Sequence, residues 1–357
     1  MRIVLDAYWW FRGTQSIQHV VHGLTETWSA IYPDDELIIV VRRKHAGEIT
    51  NLPPNVRLVF TRLWPQALAA AIAVPWQAKR ASADAMLTHN FSPLFGTKRT
   101  VLIQDMIFAT NSEWFTKSEL IYYKWMIRLA RRADLVFSTT QIEGMRISKF
   151  TKASRVVPVG LGISDDVLAA DEEPVQGLQP GSFILTVGRL NVRKNLGGIL
   201  EGARNSRLLS PEFPLVIAGA QDGELSAFPE WVDGEEKKGH IVFAGFVSMA
   251  QLRWLIRNCS FYVSLSLDEG FGLPPVEAKL LGAPVLVSDR PVFHETLGDE
   301  ATYVEPTSPA AIGEAMITLA KRPTTFTAPS AELIARHTWR STVSIIRREL
   351  TETLPHG

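Results

Sequence analysis

The chain has 357 residues, of which 46% are hydrophobic, and its 37 Lys and Arg residues balance 37 Asp and Glu residues. This length predicts two domains, and so high an apolar content excludes an intrinsically disordered chain. The longest apolar run, residues 67–76, has about half the length of a membrane-spanning helix and contains Pro75, so no such helix is expected.

A short apolar strand followed by a stretch with helical spacing is the repeating pattern of the first 160 residues. The predicted strands are residues 3–5, 37–41, 56–60, 101–103, 135–138 and 156–159, and the clearest helices are 17–32 and 118–133. Continuous apolar runs are typical of parallel strands that are covered on both faces. The first half is therefore predicted to be a doubly wound α/β domain.

Residues 160–182 are rich in Gly, Asp, Glu and Pro without a sustained period, which is typical of a linker. A second series of strands is predicted at residues 183–187, 215–218, 241–244, 261–265, 285–287 and 302–304. Helices are predicted to start near Asn195, Ser248, Pro274 and Pro309, and residues 338–354 to form a last amphipathic helix. The pattern predicts two Rossmann-like domains that face each other across a central cleft, where a ligand is expected to bind.

Several sites common in such folds are excluded by the sequence. Residues 160–165, GLGISD, begin like a dinucleotide fingerprint, but Asp165 stands where the third glycine is needed. There is no phosphate-binding loop of the form G-x-x-x-x-G-K-[ST], no H-E-x-x-H motif and no Asp-x-Asp pair, so no metal site is expected. Cys259 is the only cysteine and residues 1–6 are too short for a secretory leader, which predicts a reducing, cytoplasmic location.

The most informative segment is residues 266–277, SLDEGFGLPPVE, which joins a predicted strand to a predicted helix. Its glycines allow the backbone to approach a ligand closely, and N–H groups at a helix start can bind an anion. Glu269 in the loop and Glu277 in the predicted first turn flank this backbone, as expected for binding hydroxyls on either side of a phosphate. Either glutamate alone could equally complement the helix dipole or face solvent, so the whole segment carries the prediction.

This segment resembles the E-x7-E element of the GT-B retaining glycosyltransferases of family 4, also called glycosyl transferases group 1, in the form E-G-F-G-L-P-x-x-E-A. The resemblance covers nearly the whole chain and is strongest over residues 183–306. It implies that Glu269 faces the sugar of a nucleotide diphosphate sugar and that Glu277 accepts hydrogen bonds from the ribose. The backbone expected to contact sugar or phosphate is that of Gly270, Phe271, Gly272 and Leu273.

The GT-B resemblance also implies that each domain binds a different substrate. Residues 1–165 are expected to form the acceptor-binding domain and residues 166–336 the nucleotide-sugar-binding domain. Residues 337–357 are expected to form a helix that crosses back and packs on the first domain.

A second resembling element is VGRLNVRKN, residues 187–195, at another strand end. Basic side chains at a helix start suit a diphosphate, whose negative charge grows as the sugar leaves. By the resemblance, Arg189 and Lys194 bind the diphosphate next to Gly188, whereas Arg193 is expected to face solvent. A basic surface loop would explain any one of these residues, but explains their combination poorly.

Two further loops resemble family elements. In residues 245–248, GFVS, backbone contacts to the nucleotide base are expected around Phe246 and Val247, although Phe246 could equally be a core residue. In the loop after the first predicted strand, Gly13 is expected near the donor phosphate. Trp9 and Trp10 are candidates for an acceptor wall, although tryptophans at strand ends usually pack locally.

One position departs from the family pattern. Relatives commonly carry His-Asp where this chain has Gln104 and Asp105, both of which are assigned to the catalytic set by the resemblance. Glutamine donates and accepts hydrogen bonds but cannot exchange a proton near neutral pH. His89 is a further acceptor-side candidate, although a lone histidine is more often structural.

The predicted activity is transfer of a hexose-like sugar, such as mannose, rhamnose or glucose, from a UDP-, GDP-, ADP- or dTDP-sugar to a hydroxyl acceptor with retention. Cell-surface polysaccharide or glycolipid assembly is the expected context. The resemblance implies front-face attack without a cofactor or metal, because cations and helix amides supply the positive field. The alternatives are a non-catalytic nucleotide-sugar-binding protein, suggested by Gln104, and a GT-B sugar-nucleotide epimerase or a phosphorylase, against which the E-x7-E and Arg/Lys elements argue.

The two halves of the chain differ in charge. Residues 1–160 hold 20 Lys or Arg and 12 Asp or Glu, a net charge of +8, so the remainder carries −8. The basic half, with Lys79, Arg80, Lys98 and Arg99 in a region nearly devoid of acids, suits a lipid diphosphate acceptor or an anionic membrane surface. Peripheral attachment at the inner membrane face is therefore a hypothesis, and nucleic-acid binding is not expected, because the overall charge is zero.

Overall fold

The computed structural model describes residues 1–11, 15–45, 48, 52–96, 98–163, 168–188, 192–219, 229–322 and 328–352. The chain divides into two compact units. Unit 1 comprises Met1–Gly162 together with Ala335–Gly357, and unit 2 comprises Ile163–Ile334. Unit 2 is thus inserted into unit 1 between its first 162 residues and its last segment.

Unit 1 contains a parallel sheet. Its strands are β1 (Arg2–Asp6), β2 (Glu36–Arg42), β3 (Val56–Thr61), β4 (Ala85–His89), β5 (Arg99–Ile103), β6 (Leu135–Ser138) and β7 (Val156–Pro158). Within the described residues the order is β3-β2-β1-β4-β5-β6-β7, so the direction of winding reverses between β1 and β4. β4 is absent from the predicted strands because its sequence, AMLTH, has one β-branched residue and no apolar run typical of a strand.

The helices of unit 1 pack on this sheet. They include α1 (Gln15–Ile31), α2 (Gln66–Leu68), α3 (Val74–Arg80), α4 (Ile107–Thr110), α5 (Lys117–Ala130) and α6 (Gln141–Thr151). A π-helical segment, Ala69–Ala73, joins α2 to α3, so that residues 66–80 run as one helix. α5 begins at a capping box in which Thr116 and Glu119 bond to each other's backbone N–H groups.

Unit 2 contains a second parallel sheet. Its strands are β8 (Ile184–Val187), β9 (Leu215–Ala218), β10 (Ile241–Gly245), β11 (Phe261–Ser264), β12 (Val285–Ser288) and β13 (Thr302–Val304). Their order is β10-β9-β8-β11-β12-β13, with the reversal between β8 and β11. Each of these strands begins and ends within one residue of its predicted bounds, because all are continuous apolar runs covered on both faces.

The helices of unit 2 complete the doubly wound layers. They include α7 (Leu196–Ser206), α8 (Trp231–Lys237), α9 (Met249–Asn258), α10 (Leu273–Leu280), α11 (Pro291–Leu297), α12 (Pro309–Ala320) and α13 (Ala331–Arg336). A core cluster lies where α7 and α12 cover β8 and β11, with Leu200, Ile312, Ile184 and Val263 fully buried. This packing fixes the carboxyl ends of β8 and β11 beside each other.

The last helix, α14 (Trp339–Glu352), returns to unit 1 and packs against α1. Arg347 donates from Nε to Asp35 Oδ2 at 2.7 Å and from Nη2 to Asp35 Oδ1 at 3.0 Å. Burial alone would raise the pKa of Asp35, but the bonds from Arg347, the amino terminus and Trp28 lower it to about 2. None of the helices in the described part of the chain is long and apolar enough to cross a bilayer.

Candidate functional site

The switch point of unit 2 gathers two of the loops singled out in the sequence. β8 and β11 are neighbours, and the strand order reverses between them. In open parallel sheets, ligands bind beyond the carboxyl ends of the strands at such a point. The loop after β8 contains a 3-10 turn, Val192–Lys194, and the N–H of Leu267 in the loop after β11 donates to the carbonyl of Arg193 at 2.8 Å. The two loops are therefore joined directly.

Glu269 lies at the centre of this junction. Its side chain is 9% exposed, and its carboxylate accepts hydrogen bonds from Lys194 Nζ at 2.5 Å and from Arg193 Nη1. Burial alone would raise the pKa of Glu269, but the charges of Arg193 and Lys194 outweigh it and lower the pKa to about 2. Glu269 is thus ionised at neutral pH and holds two cations in one place.

The expectation that Arg193 faces solvent is wrong. Its side chain is 24% exposed, and Nη1 also donates to the carbonyl of Asp268 at 3.3 Å. The bond between Leu267 and the Arg193 carbonyl anchors this residue against the loop that carries Glu269, so its side chain reaches the carboxylate. Arg189, which was expected to share the diphosphate with Lys194, lies outside the described residues.

The glycine turn before α10 requires glycine at one position. Gly272 caps the helix with φ +84°, and a Cβ atom there would lie 2.6 Å from the ring of Phe293. A side chain would therefore be strained and would also clash. Because Pro274 and Pro275 have no N–H, the first helical turn can offer an anion only the N–H of Leu273, beside those of the preceding turn. Phe271, between the two glycines, is buried.

Glu277 lies further along α10 than predicted. The helix begins at Leu273, so Glu277 is its fifth residue and stands in the second turn, not the first. The side chain is half-buried. Burial raises the pKa of Glu277 to about 7, and the charge of Lys194 partly offsets that rise. The pKa values of these two glutamates, which lie eight residues apart, are therefore shifted in opposite directions from the ordinary value.

This pKa makes stability depend on pH. Because the pKa of Glu277 is raised from 4.5 to about 7 on folding, its contribution is fully present below pH 4.5 and is lost as pH rises through 7. The full shift corresponds to ~3 kcal/mol, and partial exposure of the side chain reduces the expected loss to ~2 kcal/mol. The Glu277→Gln variant should lack this loss and be more stable than the parent at pH 8.

Urea unfolding at pH 5 and pH 8 measures the difference. Glu314→Gln, which removes an exposed carboxylate from α12, is the matched control and should show the pH dependence of the parent. An unchanged pH dependence in Glu277→Gln would contradict the raised pKa.

The remaining expected donor contacts lie at the same edge of the unit 2 sheet. Gly188 follows β8 with φ +147°, a backbone conformation that favours glycine, and a Cβ atom there would lie 3.6 Å from Lys194 Cε. Phe246 and Val247 follow β10, a strand that lies two positions from β8 and therefore about 10 Å from it in the sheet. Phe246 is 79% exposed, which excludes the alternative of a core residue.

A polar cluster lies at the carboxyl edge of the unit 1 sheet, also at the reversal of strand order. Asp6 ends β1 and His89 ends β4, and both are buried. Gln66 Nε2 donates to Asp6 Oδ2 at 3.1 Å, and Trp9 Nε1 donates to Gln66 Oε1 at 2.8 Å. Asp6 and Gln66 are not among the predicted site residues. The sequence signal that could have identified Asp6 is its position as a charged residue at the end of the first apolar strand.

The geometry fixes the tautomer of His89. Nδ1 lies 3.0 Å from the backbone carbonyl oxygen of Asp6, and since that oxygen only accepts, Nδ1 carries the proton. Burial lowers the pKa of His89 and raises that of Asp6. His89 Nε2 is then a lone-pair acceptor, buried and without a hydrogen-bond partner among the described residues. His89 links β1 to β4 as a neutral imidazole with one spare acceptor atom.

Gln104 follows β5 at this edge. Its backbone N–H donates to Asn90 Oδ1 at 3.2 Å, and its backbone carbonyl accepts from Thr139 Oγ1 at 2.9 Å. Its Nε2 is buried and has no hydrogen-bond partner in the described ranges. Asp105 is half-buried and accepts from the N–H of Ile107 at 3.4 Å.

The other predicted residues of unit 1 have varied positions. The ring centroid of Trp10 lies 4.2 Å from that of His22, which is on α1, so this tryptophan packs locally. Gly13 lies outside the described residues. Glu143, which the prediction omits, is fully buried at the start of α6 and accepts from the N–H of Met106 and from Arg146 Nη1, both at 2.7 Å.

Residues 171–333 match the family model described as glycosyl transferases group 1. The O-antigen chain mannosyltransferase RfbU of Salmonella typhimurium is 28% identical over 221 residues, which cover 61% of this chain and 60% of that protein. The GDP-mannose:cellobiosyl-diphosphopolyprenol alpha-mannosyltransferase of Xanthomonas campestris is 27% identical over 204 residues, 56% of this chain and 52% of that protein. The matches thus span less than two thirds of each of these relatives.

Solved structures match nearly the whole chain. Sucrose-phosphate synthase from Thermosynechococcus elongatus has a TM-score of 0.69 at 17% identity, with 98% of each chain covered. Anabaena Alr3699/HepE, solved in complex with UDP and glucose, has a TM-score of 0.66 at 15% identity, with 98% of this chain and 99% of that chain covered. The chain therefore has the GT-B fold, and its residues 171–333 match the model of the glycosyl transferases group 1 family.

Proposed function

We propose that the protein transfers a mannosyl residue from GDP-mannose to a hydroxyl group of a growing glycan, with retention at the anomeric carbon. The choice of sugar is supported by the two mannosyltransferase relatives, one of which is named for GDP-mannose. The expected context is the assembly of a cell-surface polysaccharide, as in the named role of the O-antigen relative.

The observation that carries this proposal is the convergence of Lys194, Arg193 and Glu269 beside the glycine turn of α10. These three side chains together carry a net charge of +1. A nucleotide diphosphate brings at least two negative charges to this place and would share the cations with Glu269. The carboxylate keeps the cations positioned before the donor arrives, which reduces the cost of ordering them.

The chemistry assigned to these residues is stabilisation of the leaving group. The bond between the anomeric carbon and the diphosphate oxygen breaks, and a bond to the acceptor oxygen forms on the same face of the sugar. The acceptor proton passes to the departing diphosphate. Lys194, Arg193 and the N–H groups around Gly272 stabilise the negative charge that grows on the diphosphate, and Glu277 is assigned to the ribose hydroxyls.

The acceptor is assigned to unit 1. Its proposed contacts are Trp9, His89 and Gln104 at the carboxyl edge of the first sheet. A lipid-linked glycan is the favoured class, because the Xanthomonas relative is named for a diphosphopolyprenol acceptor and because residues 1–160 carry a net charge of +8. Gln104 in place of histidine is compatible with this route, since the proton does not pass through it.

A thermal-shift screen of nucleotide sugars tests the donor assignment. GDP-mannose is expected to raise the melting temperature by about 3 °C or more, and UDP-glucose and dTDP-rhamnose by less. Incubation with GDP-mannose and a diphosphopolyprenol-linked oligosaccharide should then add the mass of one hexose. A stronger shift with a UDP-sugar would contradict the mannosyl assignment. Donor binding without transfer or donor hydrolysis would instead identify a non-catalytic binding protein.

A further inference from the structure

Exposed large hydrophobic side chains are concentrated in one stretch of the unit 1 sequence. Of the 14 such residues in the described part of the chain, nine lie between Phe60 and Trp125. Single exposed hydrophobic residues are ordinary, whereas several that share one surface mark an interaction site. The remaining five are spread over the rest of the sequence.

The helix formed by residues 66–80 has an apolar outer face. Its inward positions, such as Ala70 and Val74, are buried. Its exposed positions are Leu68, Ile72 and Trp76, followed at the end of the helix by Lys79 and Arg80. Residues four apart lie on the same side of a helix, so the three hydrophobic side chains form one stripe that ends in two cations.

α5 adds a second stripe. Ile121 is 64% exposed and Trp125 is 49% exposed, again four residues apart. Lys117, Lys124 and Arg128 are exposed on the same helix. This helix therefore presents hydrophobic side chains among cations.

The two stripes belong to adjoining elements. The N–H of Ala67 donates to the hydroxyl of Tyr122 at 3.3 Å, which joins the first helix to α5. Met126 of α5 packs in the same core cluster as Ala70 and Ala71. The stripes of residues 68, 72 and 76 and of residues 121 and 125, with the cations beside them, are here named the docking face.

Charge selects the occupant of this face. Residues 62–132 contain ten Lys or Arg and four Asp or Glu, a net charge of +6. The guanidinium of Arg80 lies 5.6 Å from the ring centroid of Trp76, and that of Arg128 lies 5.1 Å from the ring centroid of Trp125. A second copy of this face would be repelled by the like charge, whereas an anionic surface would be attracted.

We propose that the docking face binds the surface of an anionic lipid bilayer. Tryptophan favours the boundary between headgroups and acyl chains, and each exposed tryptophan here has an arginine placed to meet a phosphate. The exposed leucine and isoleucine side chains enter the acyl boundary, as in helices that lie in the membrane plane. None of the residues of the docking face is assigned to the donor or the acceptor, so the proposal does not rest on the transfer reaction.

Vesicle co-sedimentation tests the proposal. The full chain is mixed with vesicles of phosphatidylcholine alone and of equal parts phosphatidylcholine and phosphatidylglycerol. Partitioning onto the anionic vesicles is expected to be at least about ten-fold stronger and to weaken as salt is added. The double variant Trp76→Ser, Trp125→Ser should reduce that partitioning at least about ten-fold, because its aromatic anchors are gone. The double variant Lys124→Glu, Arg128→Glu should reduce it by a similar factor.

The matched control is Met249→Ser, Ile334→Ser, which removes two exposed hydrophobic side chains from unit 2 and should partition like the parent. Cooperative urea unfolding with the midpoint of the parent shows that each variant remains folded. Equal partitioning of the parent and the tryptophan variant, or absence of binding to anionic vesicles, would overturn the proposal. So would a dimer in sedimentation velocity that the tryptophan variant abolishes, since it would assign the face to a second copy. Vesicle binding without any nucleotide-sugar shift would refute the proposed function and leave the docking face standing.

Discussion

The Lys194→Ala variant is expected to transfer sugar about 100- to 1,000-fold more slowly than the parent. Lys194 Nζ is held at 2.5 Å from Glu269 at the switch point of unit 2, where the proposed leaving group gains charge. An ammonium that interacts more strongly with the departing diphosphate than with the bound donor lowers the barrier, so its loss should reduce kcat more than it raises KM. Radiolabelled transfer from GDP-mannose under saturating acceptor gives both constants.

Two variants control for this result. Lys237→Ala removes an exposed lysine from α8 and should leave the rate unchanged. Lys194→Arg keeps the charge and should recover part of the rate. A rate in Lys194→Ala within about three-fold of the parent would show that this cation takes no part in the barrier.

The Glu269→Gln variant is expected to lose both stability and activity. Folding lowers the pKa of Glu269 from 4.5 to about 2, so its contribution to stability is present above pH 4.5 and is lost as pH falls towards 2. The shift corresponds to ~3 kcal/mol, which Glu269→Gln should lose at pH 7, because Arg193 and Lys194 are left partly buried without their carboxylate. Transfer should also fall, by about 100-fold, since the cations are no longer held in position.

Urea unfolding at pH 7 and pH 4 measures the loss of stability independently of the loss of activity. The difference between Glu269→Gln and the parent should shrink at pH 4, where the parent begins to lose the same contribution. Glu314→Gln serves again as the exposed carboxylate control. A variant that is as stable as the parent at pH 7 but inactive would show that Glu269 acts on the ligand alone and does not hold the loops together.

The strands of unit 2 were predictable because each one is a continuous apolar run that ends at a glycine, proline or polar loop. β4 was not, because pairing with β1 and β5 makes a strand of AMLTH, and that pairing is a tertiary effect. The helix start near Pro274 was found from its prolines, but its exact first residue depends on the left-handed turn at Gly272. That one-residue difference moves Glu277 into the second turn.

The sequence predicted those residues of the candidate site that belong to a distinctive loop motif. Arg193 was assigned to solvent because the choice between neighbouring cations depends on a backbone bond between distant loops, from Leu267 to the Arg193 carbonyl. Asp6 and Gln66 lie 60 residues apart, and only the sheet order brings them together. The pKa of Glu277 near 7 likewise follows from burial, which the sequence does not reveal.

The return of α14 to unit 1 has a consequence for synthesis. Asp35, near the start of the chain, is bonded to Arg347, 312 residues later. A ribosome therefore releases every residue of unit 2 before it supplies the partner that completes unit 1. Unit 2 can therefore fold before unit 1 is complete. Until α14 has been synthesised, the face of α1 that it covers remains exposed to water.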